Sequence, residues 1–149
     1  MMEPTFRVAT AADADALLAM MRGLNEHEGM AFDETKARDA LAQLFADERF
    51  GVAQLILFGG EPAGYLVVTF GFSIEFGGRD AFVDELFVRE EFRGRRVGKA
   101  ALGRAEEVCR ARGIRALHLE VERANERAQT LYRKSGFRDH DRYLLTKWL

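Results

Sequence analysis

The sequence predicts a mixed α/β (α+β) fold: a mainly antiparallel sheet with a central parallel βαβ unit and helices on both faces. Three patterns carry that expectation. Leu66, Val68, Phe70, Phe72, Ile74 and Phe76 are apolar at every second position, the period of a long strand with one strongly apolar face. Val97, Ala101, Ala105, Val108 and Cys109 then recur at helical spacing up to Gly113. Finally, the succession strand 81–88, helix 97–112, strand 115–121 demands a crossover connection, so those two strands should run parallel and right-handed.

The remaining elements follow in order. Phe6-Arg7-Val8 is a short first strand. Asp13 is placed to cap a helix running to about Glu28, with Leu17, Met21 and Leu24 on one face, and Gly29 ends it. Asp33 caps a second helix whose Ala37, Leu41, Leu44 and Phe45 face inward. Val52 to Phe58 is a strand, and Gly59-Gly60-Glu61-Pro62 turns the chain into the long alternating strand. Gly77-Gly78 leads into strand 81–88. After the βαβ unit, Asn125 caps a helix presenting Ala128, Leu131 and Tyr132, closed at Ser135-Gly136. Phe137 opens a last hairpin ending in Tyr143–Leu149. The expected order is βααβββαβαββ, in a single domain covering residues 1–149.

Composition removes several classes of function. The chain carries a net charge of −2 with 31% charged and 48% hydrophobic residues, so nothing global points to nucleic acid or to a membrane surface. No apolar run reaches spanning length, and Asp13 and Asp15 interrupt the only Ala-rich start that could imitate a leader. A reduced, cytoplasmic setting is expected. The one cysteine, Cys109, excludes an intrachain disulfide and reads as packing on an inner helix face. His27, His118 and His140 lack metal-ligand spacing, so no metal is expected. A homodimer is compatible with the sequence, which fixes no oligomeric state.

The chemistry concentrates between Asp84 and Lys99. Arg93-Gly94-Arg95-Arg96-Val97-Gly98-Lys99 lies where a strand hands over to a helix. Unpaired amides and the dipole of a helix N-terminus hold phosphate oxygens, glycines let a ligand reach the backbone, and Arg95, Arg96 and Lys99 would add charge-assisted contacts. Two nucleotide motifs fail. A Walker loop needs four residues between its glycines followed by Lys-Ser or Lys-Thr, whereas three separate Gly94 from Gly98 and Ala100 follows Lys99. The GxGxxG pattern is absent. The competing reading is an exposed basic loop paired with Glu90 and Glu91, and composition leaves the two about even.

Strand followed by R-G-R-R-V-G-K at a helix start resembles the acetyl-CoA motif of the GNAT superfamily of acyl-CoA-dependent N-acyltransferases, Arg/Gln-x-x-Gly-x-Gly/Ala. Arg93 and Gly98 match its ends, and Arg96 stands where its middle glycine would be. The D-E-L-F-V strand, the segment N-E-R-A-Q-T-L-Y-R-K-S-G-F from Asn125 to Phe137, and the element order over nearly the whole chain are similar to that family as well. The resemblance implies an N-acetyltransferase with acetyl-CoA as acyl donor. It also implies that the backbone of Leu86, Phe87 and Val88 pairs with the pantetheine arm as an added strand would. The loop from Arg93 to Lys99 would take the pyrophosphate, and Asn125 would contact the cofactor arm, unless it serves only as helix cap.

Acetyl transfer requires a neutral nucleophile, and a lysine-like amine, with a pKa of about 10.4, is protonated at neutral pH. A carboxylate can take that proton, and the departing thiolate gains from a nearby acid. The resemblance gives the acid's position to Tyr132; the alternative is an amphipathic core tyrosine. For the base, Asp84 and Glu85 both qualify. By strand alternation Asp84 goes with Phe82, Leu86 and Val88, and Glu85 with Val83 and Phe87, so the two should face opposite ways. Structural pairing with Arg79 or Arg115 is the alternative for both. Glu26, Glu28 and Phe32, between the first two helices, are candidates for the acceptor site, against a reading as surface charge and packing. The expected acceptor is a small-molecule, polyamine-like primary amine, the resemblance including the small-amine branch. A protein N-terminus or lysine is the alternative, and a non-catalytic acyl-CoA-binding module a further one. RNA binding is disfavoured by Glu90, Glu91 and the negative total charge.

Overall fold

In a computed structural model describing residues 2–149, β1 (Thr5–Val8) is followed by α1 (Ala14–His27) and α2 (Glu34–Ala46). Then come β2 (Gly51–Phe58), β3 (Glu61–Ser73), β4 (Gly78–Val88), α3 (Val97–Ala111), β5 (Ala116–His118) and α4 (Glu126–Lys134). The five strands form one sheet in sequence order; β1 to β4 are antiparallel and β5 is parallel to β4.

The sheet separates two apolar layers. On one face Leu17, Leu18, Met20 and Met21 of α1 and Leu41 of α2 pack on Leu55, Tyr65 and Val67. On the other, Leu102, Ala105 and Cys109 of α3 pack on Leu66, Val68, Ala81 and Val83. Helices therefore cover both faces, as the two early helices required. Asp33 caps α2 by accepting from the Lys36 amide at 3.1 Å, and Asn125 caps α4 by accepting from the Ala128 amide at 3.1 Å. Asp13 stands at the N-cap position of α1, but its carboxylate turns back to the Thr10 amide and the Arg7 guanidinium instead.

Two sequence expectations are corrected. The final hairpin does not form in this chain: residues after Gly136 carry no helix or strand, and Tyr143, Leu144, Leu145 and Trp148 are exposed. The apolar segment that suggested a strand there pairs with no strand of the sheet. The second correction is parity along β4. Pairing with β3 shifts by one residue, since Val67 faces Glu85 while Val68 faces Val83. Asp84 is thus the extra residue of a β-bulge. Val83 and Leu86 lie on the α3 face together, and Phe87 lies on the α1 face beside Tyr65. One inserted residue undoes the alternation on which the opposite-facing assignment of Asp84 and Glu85 rested.

The bulge has a second effect. β5 pairs with β4 only from Asp80 to Phe82, and beyond His118 it leaves the sheet. The C-terminal half of β4 therefore has no hydrogen-bonded neighbour on that side. β5 is correspondingly shorter than the expected strand to Val121.

Candidate active site

Where β4 and β5 part, a cavity of about 190 Å³ opens, lined by Asp84, Glu85 and Leu86 of β4, by Leu119 and Glu120 beyond β5, by Glu28 after α1 and by Tyr132 of α4. A roomier depression of about 360 Å³ between β1 and α3 holds only an Arg104–Glu107 ion pair as its charged lining, and Arg104 is further tied to Gln54. That polar lining is satisfied within the protein, so the smaller cavity is the chemical candidate.

Four carboxylates and one phenol converge on the cavity, with no cationic side chain in its lining. Glu85 is the best held. The hydroxyl of Tyr65, a side chain with no exposed surface, donates to Glu85 Oε1 at 2.6 Å. Tyr65 comes from β3, two residues in register from Val67, the residue opposite Glu85, and its ring packs 6.0 Å from that of Phe87. Burial raises the Glu85 carboxyl above its ordinary value; the Tyr65 bond opposes this, and the nearby Asp84 and Glu28 charges reinforce it. Asp84 stands at the open side of the cleft with its carboxyl also raised by partial desolvation. Burial, with Glu85 next, holds the Tyr65 hydroxyl protonated far above the usual tyrosine range. Tyr132, half-buried against Phe137, is raised by burial and then by Glu28.

The arginine pairing considered for the acids does not form. Arg79 donates to the carbonyl of Arg112 and sits over Phe70, and neither acid makes a salt bridge among the described residues. His118 is a satisfied sheet residue: its Nε2 lies 3.1 Å from Asp80 Oδ2 and its ring packs on Phe76 and Phe82.

The loop that follows β4 carries the second part of the predicted site. A short 3-10 turn, Glu90–Phe92, leads to Gly94 at φ +77° and then to Arg96 at φ 62°, ψ 19°. Arg96 is the one non-glycine residue with positive φ among the described residues. It immediately precedes α3, whose first internal bond runs from the Ala100 amide to the Arg96 carbonyl, leaving the amides of Val97, Gly98 and Lys99 without intrahelical acceptors. The first turn contains no acidic residue. Glu90 and Glu91 make no ion pair with the loop arginines among the described residues, which removes the main support for the surface reading.

The side chains of the loop divide their work. Arg93 Nε donates to the Val88 carbonyl at 2.9 Å, and Arg95 lies over the rings of Phe58 and Phe92. Val97 is buried in the apolar layer, and Gly98 faces Leu131 at van der Waals distance, so both offer backbone only. Arg96 and Lys99 are the exposed loop cations whose side chains make no hydrogen bond, ion pair or aromatic contact among the described residues.

Comparison with known proteins decides what this arrangement belongs to. The family model described as Acetyltransferase (GNAT) family matches residues 17–137. The chain belongs to the GNAT acetyltransferase family. The thialysine N-epsilon-acetyltransferase of Bos taurus is 31% identical over 141 residues, covering 89% of this chain and 83% of that protein. The Sus scrofa protein of the same name is 29% identical with the same coverage. Among solved structures, the integron cassette protein HFX_CASS3 from the mobile metagenome of Cole Harbour Salt Marsh is 35% identical, with a TM-score of 0.85 over 97% of this chain and 90% of its own. The aminoglycoside N-acetyltransferase AAC(6')-Iy, solved with CoA, shares the fold at a TM-score of 0.85 over 99% of this chain and 96% of its own, at 12% identity.

As a GNAT member this is an acetyl-CoA-dependent acetyltransferase, and acetyl-CoA is its acyl donor. The residues fit such a donor. Arg96, where the GNAT motif has glycine, takes the left-handed conformation that a glycine would supply without strain. Of the residues singled out from sequence, the structure brings Asp84, Glu85, Tyr132 and Glu28 into one cavity. It leaves Glu26 exposed outside that lining and packs Phe32 against the α1–α2 core under the Arg22 guanidinium. Asn125 Oδ1 is engaged as a cap. Sequence reading missed Glu120; it offers Tyr65, with Phe72 and Phe76, only as a wall of the acceptor pocket, and the bulge is what reveals that the cross-strand neighbour region of Tyr65 holds an acid.

Proposed function

We propose that this GNAT enzyme acetylates a small, cationic primary amine, polyamine-like or lysine-like, with Glu85 as proton acceptor and Tyr132 as proton donor to sulfur. The observation that carries this is the Tyr65–Glu85 bond inside a cleft walled by carboxylates. Glu28, Asp84 and Glu120 attract and orient an ammonium group without a competing cation. The thialysine N-epsilon-acetyltransferases among the relatives support an acceptor of that size and charge.

The donor's pyrophosphate lies against the free amides of Val97–Lys99 and the side chains of Arg96 and Lys99, with Gly94 and Arg95 shaping the turn. Its pantetheine arm lies along the unpaired edge at Leu86, Phe87 and Val88, with Asn125 nearby. The ammonium loses one proton to Glu85, which releases it to solvent through the open side. The nitrogen attacks the thioester carbonyl, the C–N bond forms, and the C–S bond breaks. Tyr132 protonates the leaving sulfur, and the remaining extra nitrogen proton restores Tyr132 through cleft water. A raised Glu85 carboxyl is a stronger base than a surface glutamate, and its ordering by Tyr65 preserves aim. A reduced, cytoplasmic setting suits the free, buried Cys109.

The test is acetyl-CoA-dependent thiol release across thialysine, lysine, short diamines and polyamines, and peptides with a free N-terminus or lysine. Turnover confined to small amines is expected. Preference for peptides by tenfold or more in kcat/KM would move the acceptor to protein, and binding without turnover on any amine would leave an acyl-CoA-binding module.

A further inference from the structure

Besides β4, the cleft is lined by Leu119 and Glu120, which lie in neither helix nor strand. β5 ends at His118 and α4 begins at Glu126, so residues 119–125 bridge them without regular structure. Pairing with β4 fixes the near end of this bridge. Beyond it, no backbone–backbone hydrogen bond among the described residues involves Glu120 or Val121. The Glu120 carboxylate makes no ion pair among them either. What holds Glu120 in place must therefore act on the far end of the bridge.

One side chain does so. Gln129, a half-buried residue of α4, donates through Nε2 to the Glu122 carbonyl at 3.0 Å and to the Arg123 carbonyl at 2.8 Å. A primary amide has two hydrogens to give, and both are taken. Its orientation follows from its partners: turned over, it would set an oxygen against two carbonyls and a nitrogen against a guanidinium. That guanidinium belongs to Arg133, which donates to Gln129 Oε1 at 3.4 Å and to both oxygens of Asp139, at 2.9 and 2.7 Å. Gln129 lies one turn before Tyr132 on the same helix. The loop that bears Glu120 is thus clamped to the helix that bears the phenol.

We propose that Gln129 is a positioning residue for the acceptor site: by holding the Glu122 and Arg123 carbonyls it keeps Glu120 at the cleft, where the carboxylate meets a cationic amine. The inference rests on the reading of Glu120 as part of the acceptor site, and adds the residue through which α4 controls it. Glu120 shares the cleft with Asp84, Glu85 and Glu28, so in the free enzyme like charges push it toward solvent. The clamp opposes that push. Gln129 is itself absent from the cleft lining, so its influence reaches the amine only through the wall.

Gln129→Met keeps the length of the side chain and removes both donors, and Gln129→Lys returns a donor to the two carbonyls. Two readouts are compared. Hydrogen exchange at the Asn125 amide, which bonds the same Glu122 carbonyl at 2.9 Å, reads the clamp without any acceptor. It should quicken about tenfold in Gln129→Met and recover in Gln129→Lys. Steady-state kinetics with thialysine and with spermidine reads the site. KM should rise about three- to tenfold in Gln129→Met, with kcat and the Kd of acetyl-CoA nearly unchanged, and should recover in Gln129→Lys. In a Glu120→Gln background the same substitution should add little, because it acts through that carboxylate. Unchanged exchange at Asn125 overturns the proposal, as does an unchanged KM in Gln129→Met or a full additive effect beside Glu120→Gln. If Glu120→Gln alone leaves KM unchanged, the acceptor-site reading of Glu120 falls and the proposal falls with it. If Glu120→Gln raises KM and Gln129→Met does not, the proposal alone falls.

Discussion

Tyr65, on β3, has no exposed surface, yet its hydroxyl is spent on a single acceptor: Oε1 of Glu85, 2.6 Å away across the sheet. A phenol placed in an apolar layer costs free energy unless it is bonded, and here the bond reaches an acid at the cleft. The pair joins the core of the sheet to the place where β4 and β5 separate.

Removing that hydroxyl has a sign that a purely structural role would not produce. The bond favours the ionised form of Glu85, so Tyr65→Phe should raise the carboxyl further. The acidic limb of kcat/KM should move to higher pH by about one unit, the size expected for a hydrogen bond to a charged group. A pH–rate profile measured on a variant of unchanged fold checks it; a limb that stays in place removes Tyr65 from the mechanism.

The acidic neighbours should act in the opposite direction. Asp84 and Glu28 both push the Glu85 carboxyl up, so Asp84→Asn and Glu28→Gln should shift the same limb to lower pH. Both should also raise KM for a cationic amine several-fold. Glu85→Gln, by contrast, should lower kcat by about 10²–10³ with KM little changed. Steady-state kinetics on one amine separates the three; if Asp84→Asn produces the kcat loss and Glu85→Gln does not, the roles are reversed.

Asp84 also makes a prediction about stability. Its carboxyl is raised in the folded protein, so folding favours its protonated form. Its contribution is fully present below the ordinary aspartate pKa and is lost as pH rises through the raised value. Asp84→Asn should therefore raise Tm at neutral pH by about a degree or two, given screening on the exposed side. The gain should vanish below about pH 4. Thermal melts at the two pH values test it.

Arg96 carries a left-handed backbone that costs a non-glycine residue about 1–2 kcal/mol. Arg96→Gly should relieve it, and after the larger chain entropy of glycine the net gain should be about 0.5 kcal/mol or less. The same substitution removes a phosphate contact, so Kd for acetyl-CoA should rise about three- to tenfold. Arg96→Ala should weaken binding equally without gaining stability. Calorimetric titration and melting of both variants would show whether charge and conformation separate in this way.

Gly64 faces the backbone of Phe87, whose carbonyl a Cβ at that position would strike. Because backbone cannot rotate away, Gly64→Ala should displace β4 along the proposed pantetheine edge, costing about 1–3 kcal/mol. A matching loss of acetyl-CoA affinity, read by titration, would tie that edge to the donor; full affinity in a destabilised variant would place the donor elsewhere.

Much of the fold was legible because periodicity and punctuation are local. The alternation in β3, the helical spacing in α3, the caps at Asp33 and Asn125 and the glycine turns all name their elements without help from distant residues. The bulge at Asp84 is not local in that sense. It exists only as a mismatch between two strands, and no composition in D-E-L-F-V announces it. For the same reason the sequence could put both acids near the site but not on the same cavity, and it could not connect Tyr65 to either. The final hairpin failed for a related reason, since an apolar segment shows that it wants a partner without showing where that partner lies.

The shift between Val67 and Val68 makes β4 a strand that specifies a count as well as a chemistry. Substitutions along it act one side chain at a time, but deletion of Asp84 would restore simple alternation. Glu85, Leu86 and Phe87 would keep the β3 partners they have, because Asp84 is the residue without one; deleting any of those three instead would turn every later side chain to the wrong face. In a library of variants, this strand should accept many replacements, and a change of length only at Asp84.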